Sequence, residues 1–326
     1  ADKQNYFLVY NSETVVIDGS SGSNVLAEAD AERKKYVIKN IDATITSLRQ
    51  GDVLSYPQDG DMLIVKVASM EISGTTATIY GGELELKDVF DYVRIDASKS
   101  ADEASVDNSR LGEGVRYLGA DDDLGKASAP TGADGSEKEV TAGRGLKYEV
   151  LKRKGENYEI SGTAGFKCES EATCYYDANL FEDDELEVSF AVKPEVYFDV
   201  TLELSNMDDD SDVDNDNDIK FTLGRFGYAI VPGVYVEFTP SIVVQGKVTI
   251  EVKGALTGQI GKKFKDGKFS DNSEDFHFSS EFKVEGELFV GLSMKPRFKM
   301  IGDAVTAEAE ARAGILLSAK LQYGGD

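Results

Sequence analysis

The sequence predicts an all-β protein, in which a small N-terminal β domain precedes a larger antiparallel β-sandwich. Apolar and polar residues alternate along several long segments, as at residues 186–192, where every even-numbered residue is apolar. This period of two is typical of a strand with one buried face and one solvated face. Polar turn sequences such as KDGK at residues 265–268 separate such segments. The chain has 326 residues, of which 41% are hydrophobic, so we expect about two domains that each bury a core.

Residues 1–96 are predicted to form the small β-rich domain. Aromatic and β-branched residues at 6–10 and 14–17 flank a polar turn at Asn11, which predicts a hairpin. Alanine and glutamate are dense at residues 25–33, which favours a short helix. The other strands of this domain are expected at residues 36–38, 63–67 and 75–80, with residues 84–95 closing the unit.

Residues 97–146 are rich in Asp, Ser, Gly and Ala, and they are predicted to form an acidic linker or long excursion. Residues 147–326 are predicted to form the β-sandwich domain. Its last segment, at residues 305–321, has the alanine content of a helix but alternates strictly between small or apolar and polar residues. The alternation favours a strand, and we predict one.

The charge balance limits the classes of partner. The chain carries 35 basic and 60 acidic residues, a net charge of −25. Such a chain repels nucleic acid phosphates and anionic membrane surfaces, so cations and basic partners fit better. A second interpretation, that the charge serves only solubility, stays open. No apolar run is long enough to span a bilayer.

An acidic run at residues 208–218 predicts a calcium-type loop. Calcium prefers six to eight oxygen ligands, and aspartates at every second position can direct their carboxylates at one ion in a tightly curled loop. We expect five ligands in this run: Asp210, Asp212, Asp214, Asp216 and Asp218. Leu223 stands where an EF-hand has its bidentate glutamate, so the loop is not an EF-hand. The alternative is a solvated acidic loop, which the mutual repulsion of seven aspartates in eleven residues disfavours without cations.

Cys168 and Cys174 are the only cysteines. Two short strands around a turn at residues 169–173 would bring them within disulfide distance, so we predict a Cys168–Cys174 disulfide, with two buried thiols as the alternative. Ala1 is the residue that cleavage after a small-residue signal site would leave. Together with the cysteine pair and the acidic run, it favours an exported protein over a trimmed chain.

No catalytic constellation is evident. The single histidine, His277, lies between Phe276 and Phe278 and is predicted to be an exposed strand residue without an identifiable catalytic partner. Carboxylates are so abundant in this chain that a pair of them is no evidence of a glycosidase site. We therefore predict that the protein is not an enzyme and needs no organic cofactor, with a hydrolase as the least favoured alternative.

Four segments show a resemblance to a known group of proteins. They are GDVLSYP at 51–57, LIVKVASM at 63–70, LELKDVFD at 84–91 and IVPGVYV at 230–236. This pattern resembles large secreted surface proteins of Gram-positive anaerobes of the Clostridia type. The resemblance covers about half of the chain and includes no catalytic motif, so it implies location and β architecture but no activity.

The function expected from these observations is that of a secreted structural surface protein, a subunit of a fibre or cell coat that calcium stabilises. The alternative is an adhesin that binds glycan or protein, for which Tyr175, Tyr176 and Tyr228 would serve. We also expect self-association through the terminal strands, in which residues 6–10 pair with an open sheet edge of a neighbouring copy. The competing possibility is that residues 6–10 pair within their own domain in a monomer.

Overall fold

A computed structural model gives the fold. It describes residues 2–17, 22–30, 33–58, 61–121, 127–128, 139–140, 145–154, 158–178, 185–204, 219–246, 250–265, 268–284, 287–301 and 304–318. Most of these residues lie in antiparallel β-strands, which confirms the all-β fold class.

The strands up to the predicted sandwich are β1 Lys3–Tyr10, β2 Thr14–Val16, β3 Val25–Asp30, β4 Lys35–Lys39, β5 Val53–Gln58, β6 Asp61–Ser73, β7 Thr76–Gly81, β8 Phe90–Ser100, β9 Val106–Leu111, β10 Val115–Asp121, β11 Ala127–Ser128 and β12 Glu139–Val140. Those that follow are β13 Gly145–Lys154, β14 Tyr158–Asp177, β15 Glu185–Leu204, β16 Ile219–Val231, β17 Val234–Phe238, β18 Ser241–Gly246, β19 Ile250–Lys265, β20 Lys268–Asp271, β21 Glu274–Val284, β22 Glu287–Met294, β23 Arg297–Met300, β24 Val305–Glu308 and β25 Ala311–Ser318. The described helices are single turns: α1 Ala43–Thr46, α2 Leu86–Val89 and a 3-10 turn at Glu103–Ser105.

A six-stranded sheet in the order β2-β5-β6-β7-β4-β3 forms the N-terminal part of the molecule. All of its pairs are antiparallel except β2 with β5. Apolar side chains from alternate positions of these strands, such as Ile38, Leu54 and Ile79, build a core of their own around Ile45 of α1. The side chain of Asp42 starts α1 by accepting hydrogen bonds from the backbone amides of Thr44 and Ile45.

Two predicted elements of this region are wrong. Residues 6–10 and 14–17 do not form a hairpin, because β1 pairs with β8 and β2 pairs in parallel with β5. Asn11 prevents the reversal, since its side-chain amide donates to the carbonyls of Lys87 and Asp88 and its backbone amide donates to the carbonyl of Val89. The helix predicted at residues 25–33 is instead strand β3, because pairing with β4 outweighs the helix propensity of alanine and glutamate.

A nine-stranded sheet contains the longest strands, β14 and β15, of 20 residues each. They pair along their whole length from Tyr158↔Leu204 to Asp177↔Glu185. On its other side, β14 pairs first with β13 and then with β8, and β1 continues the sheet beyond β8. The terminal strand is therefore joined to the sheet of the predicted sandwich domain.

The opposing sheet has eight strands in the order β24-β23-β17-β16-β18-β22-β25, with β9 also on β16. Three of the connections between its strands lie at the same height along the sheet, at residues 239–240, 295–296 and 309–310. Pro240 and Pro296 stand at two of these connections. The Pro240 carbonyl accepts a hydrogen bond from the backbone amide of Leu223 in β16, at 2.9 Å, and the Pro296 carbonyl accepts one from that of Ala309 in the 309–310 connection, at 3.0 Å. The sheet turns a corner here, and a proline at the bend interrupts no strand.

The core lies between the nine-stranded and eight-stranded sheets. The ring of Phe190 on β15 stacks on that of Phe298 on β23, with centroids 4.9 Å apart, and Phe166 on β14 contacts Phe226 on β16 at 5.0 Å. All four rings are at most 1% exposed. This face-to-face packing of two antiparallel sheets confirms the sandwich.

The structure differs from the predicted domain division at two points. The predicted boundary at residue 96 falls inside β8, whose last residue is Ser100. In the predicted linker at 97–146, β9 and β10 pair with β16 and β13 of the two large sheets. Low apolar content here reflects strands at the sheet margins: β9 is exposed except at its two ends, and β10 alternates between exposed and half-buried residues. The terminal segment forms strands β24 and β25, as predicted.

Candidate interaction surface

Strand β1 lies at one end of the nine-stranded sheet, and among the described strands it pairs with β8 alone. The backbone N–H and C=O groups of its other edge, which point away from β8, therefore have no strand partner among the described residues. Three of its large side chains are exposed: Tyr6 by 46%, Phe7 by 61% and Val9 by 37%. Phe7 has the highest exposed fraction among the exposed large hydrophobic residues of the described chain.

One face of β1 anchors the strand to the molecule. Leu8 and Tyr10 pack against the main core, and the ring of Tyr10 lies 4.9 Å from that of Phe90. The Tyr10 hydroxyl donates to the sulfur of Met62, at 2.6 Å, and lies 3.1 Å from the Ser55 hydroxyl. These contacts hold β1 in register with β8 and leave its outer edge open.

The other face of β1 begins an aromatic ladder, formed by Phe7, Tyr92 and Tyr175 on β1, β8 and β14. The Phe7 and Tyr92 rings are 6.0 Å apart at 64°, and the Tyr92 and Tyr175 rings are 5.8 Å apart at 89°. Such edge-to-face contacts are favourable beyond the area they bury. Arg94, which is exposed, pairs in register with both Phe7 and Tyr175. Tyr92 and Arg94 could not be singled out from the sequence, because the paired residues of β1 and β8 are at least 80 residues apart along the chain.

Charge is absent from most of β1. Lys3 forms an ion pair with Asp96 of β8, and the next seven residues, 4–10, carry no formal charge. In a chain with a net charge of −25, this segment is a place where another chain can approach without direct like-charge contact. β1 pairs within its own chain, as expected of a monomer, so the predicted self-association concerns only its outer edge.

A second feature is a charged cleft of about 630 Å³ at the corner of the eight-stranded sheet. Its floor includes the buried side chains of Phe238 and Met294. On its rim, Glu237 lies 2.6 Å from the guanidinium of Arg225 and 4.0 Å from that of Arg297. The hydrogen bond that the Arg225 guanidinium donates to the Glu237 carboxylate is the largest factor that raises the pKa of Arg225. Three of the four cations that line the cleft, Arg225, Lys295 and Arg297, form ion pairs with glutamates of the same cleft, so most of its positive charge is neutralised internally.

The predicted calcium ligands Asp210, Asp212, Asp214, Asp216 and Asp218 lie outside the described residues. Within the described ranges, no group of three or more His, Cys, Asp or Glu side chains is arranged to hold a metal ion. The calcium site therefore stays a prediction.

The predicted Cys168–Cys174 disulfide is absent, and both cysteines are free. They lie on one uninterrupted strand, β14, where six residues span about 20 Å, whereas a disulfide requires Cα atoms within about 7 Å. The prediction of a turn between the two cysteines is therefore wrong. Both side chains face the core, at 0% and 3% exposure, and burial raises the pKa of the Cys168 thiol above its ordinary value and that of Cys174 to about 12. Neither thiol is placed to act as a nucleophile.

Of the three tyrosines expected to serve an adhesin, only Tyr175 reaches the surface, with 36% exposure. Tyr176 and Tyr228 are core residues, at 2% and 5%, and the Tyr228 hydroxyl is 2.7 Å from that of buried Ser170. His277 is an exposed residue of β21, as predicted.

Comparisons with protein families, curated proteins and solved structures find no match to this chain. Among the described residues, no helix has the length and apolar character needed to cross a membrane.

Proposed function

We propose that this protein is a structural protein of a bacterial cell surface, that it is not an enzyme, and that it assembles with copies of itself through the outer edge of β1. One observation carries the proposal. An eight-residue edge strand leaves its backbone unpaired on one side among the described strands and exposes Tyr6, Phe7 and Val9. Export from the cell and calcium binding at the acidic run of residues 208–218 belong to the same proposal.

The composition of β1 supports this role. Soluble proteins commonly protect sheet edges with lysine, proline, a bulge or a covering loop. β1 has a single lysine at its first residue and no proline, and its one irregularity lies at its end, between Val9 and Tyr10. Strand addition to such an edge gains a row of backbone hydrogen bonds, while the exposed side chains add apolar contact.

Sedimentation velocity over a wide range of protein concentration tests the proposal. We expect the sedimentation coefficient to rise with concentration, and Phe7→Lys to shift the assembly midpoint to at least about tenfold higher concentration, because truncated anchors at an interface centre cost about 2 kcal/mol or more.

The matched control is Ile72→Lys. Ile72 is also a strand residue with an exposed large side chain, at 47%, but it lies on β6 of the six-stranded sheet. This variant has the same change of charge and should assemble like the unmodified chain. A chain that stays monomeric at every concentration, or equal effects of the two substitutions, would contradict the proposal.

The exposed ring of Tyr175 favours a second candidate function, that of an adhesin. Aromatic side chains at a surface contact sugar rings and protein side chains alike, and Arg94 supplies hydrogen-bond donors beside the ladder. A glycan array separates the candidates. An adhesin predicts specific binding that Tyr175→Ala abolishes without changing assembly, whereas an array without binding leaves the structural role alone.

A further inference from the structure

We infer that two copies of this chain pair β1 with β1 in antiparallel orientation, across a two-fold axis at Phe7, to form one continuous sheet. This inference rests on the proposed function and specifies the partner and the register of that contact. The occupant of the edge is therefore the same strand of a second copy.

The alternation of side chains restricts the register. In an antiparallel pair, directly opposite residues point to the same face of the sheet. Tyr6, Leu8 and Tyr10 lie on the face toward the core, and Phe7 and Val9 lie on the outer face with Tyr92. To keep both faces matched, a two-fold axis has to pass at a residue and not between two residues.

The extent of β1 and its charge together select the residue. The uncharged run continues to Ser12, but the part of it that lies within β1, residues 4–10, has Phe7 at its centre. A two-fold axis at Phe7 places Gln4 opposite Tyr10, Asn5 opposite Val9 and Phe7 opposite its own copy. Every residue of the uncharged segment is then paired with another uncharged residue. A shift of the axis to Asn5 would instead bring Lys3 opposite Phe7 and leave Leu8, Val9 and Tyr10 beyond the paired region of β1.

The same register joins the two aromatic ladders. Opposite residues of an antiparallel pair have Cβ atoms about 5 Å apart, so the two Phe7 rings meet at the axis. The exposed surface of Phe7, the highest exposed fraction of the exposed large hydrophobic side chains, would be removed from water in both copies at once. A ladder of six rings would then cross the interface from Tyr175 of one copy to that of the other.

The contact is isologous and closes on itself. The pairing occupies the outer edge of β1 in both copies. The unit formed is therefore a dimer and not the fibre that a head-to-tail contact would build. At the other end of this sheet, β19 pairs with two outer strands, β20 and β21, and both are weaker partners for β1. β20 has four residues, with Lys268 and Asp271 at its two ends, so it offers a shorter and charged edge. β21 has eleven residues but carries Glu274, Asp275, Glu281 and Lys283, so its edge is charged as well.

Cysteine cross-linking tests the register without altering Phe7. Asn5→Cys and Val9→Cys chains are mixed and oxidised with copper phenanthroline, and the products are separated on a non-reducing gel. The inferred register places positions 5 and 9 opposite each other, with Cα atoms about 4.5–5.5 Å apart, so the mixture should give cross-linked dimers. Each variant alone should give none, because identical positions are then about 13 Å apart. The native Cys168 and Cys174 are buried and add no background.

Cross-linking of either single variant with itself, or a mixture that stays uncross-linked while the unmodified chain sediments as an assembly, would overturn the register and leave the proposed function standing. Assemblies of the unmodified chain that grow beyond two copies would overturn the closed dimer in the same way. An unmodified chain that sediments as a monomer at all concentrations would overturn both.

Discussion

At the scale of single residues, the main core contains a buried tyrosine hydroxyl that the described residues leave without a hydrogen bond. Tyr148 is fully buried between the two large sheets, and its hydroxyl has no hydrogen-bond partner among the described residues. Burial raises its pKa above the ordinary value of a tyrosine. A buried polar group without a partner costs stability, because its hydrogen bonds to water are lost on folding.

We expect Tyr148→Phe to leave the free energy of unfolding unchanged or to raise it by about 1 kcal/mol, because it removes this unsatisfied group. Tyr228→Phe is the matched control, and it should lower the free energy of unfolding by about 1 kcal/mol, because the buried Ser170 hydroxyl loses its partner at 2.7 Å. Urea denaturation measures both values. A loss of stability in Tyr148→Phe equal to that in Tyr228→Phe would contradict the assignment.

Asp88 should contribute a pH-dependent part of the stability. Burial acts to raise the pKa of its carboxyl, but hydrogen bonds from the Lys66 ammonium and the Glu85 backbone amide, both at 2.9 Å, hold the pKa below its ordinary value. A carboxyl with a lowered folded-state pKa stabilises the fold above its unfolded-state pKa of about 3.8–3.9, and this contribution is lost as the pH falls through the folded-state pKa.

Asp88→Asn should therefore lower the free energy of unfolding by about 1–2 kcal/mol at pH 7, and the difference from the unmodified chain should shrink below about pH 4. Denaturant titrations between pH 7 and pH 3 measure it. The control is Glu83→Gln, because Glu83 pairs with Lys34 while 96% exposed and should contribute little at any pH. If the free energy of unfolding of Asp88→Asn differs from that of the unmodified chain by the same amount at every pH, the proposed role of the Asp88 carboxylate is contradicted.

At the scale of elements, the alternation of apolar and polar residues predicted the strands of the large sheets well. Local amino-acid composition, in contrast, led to wrong predictions of turns and of a helix. In residues 166–176, Phe166, Cys168, Ala172, Cys174 and Tyr176 all stand at even positions and all face the core in β14. The polar residues between them suggested a turn, but they are the solvated face of the same strand. The predicted hairpin and helix in the first 33 residues failed for a related reason. Pairing partners such as β8 for β1 are set by tertiary structure, and a single sequence does not show them.

The close approach of β14 and β15 depends on Gly162, which sits at a φ of +155° opposite Val200. A Cβ atom at this position would lie 2.2 Å from the carbonyl oxygen of Asp199, a backbone atom that can move only with its strand. Gly162→Ala should therefore lower the free energy of unfolding by about 2 kcal/mol or more. At Gly82, a Cβ atom would make an ordinary contact at 3.6 Å, so Gly82→Ala should leave the stability unchanged or raise it by up to about 1 kcal/mol. Thermal and urea unfolding of the two variants should separate them, and equal stabilities would show that β14 and β15 are less tightly apposed.

At the scale of the whole molecule, the distribution of charge determines where another chain can approach. The chain carries a net charge of −25, and its acidic side chains lie mainly on the solvated faces of strands or in the run at residues 208–218. The sequence identified residues 6–10 as a terminal strand able to pair with another chain, but it did not show which face is anchored or that the ladder continues into Tyr92. Those features depend on the register with β8, which only the structure supplies.

The acidic run predicts that calcium stabilises the molecule. A cation that binds only the folded chain raises its stability in proportion to the logarithm of its concentration, and here it would also relieve the repulsion among the aspartates. We expect a chelator to lower the melting temperature of the full chain and added calcium to restore it. Replacing Asp212, Asp214 and Asp216 by Asn should remove the response, whereas replacing Asp121 by Asn should not. Melting curves that are the same in chelator and in calcium would contradict the predicted site.

Hydrogen exchange of β1 tests directly whether the outer edge of this strand pairs with another copy of the chain. Exchange of peptides from Lys3–Tyr10 is followed by mass spectrometry at low and high protein concentration, with Ile250–Lys265 of the interior strand β19 as the internal reference. We expect the outward-facing amides of β1 to exchange quickly in dilute protein and to become protected at high concentration. We expect Phe7→Lys to abolish this gain in protection, and the exchange of β19 not to change. Exchange of β1 at one rate across all concentrations, in a sample that sediments as an assembly, would contradict this expectation.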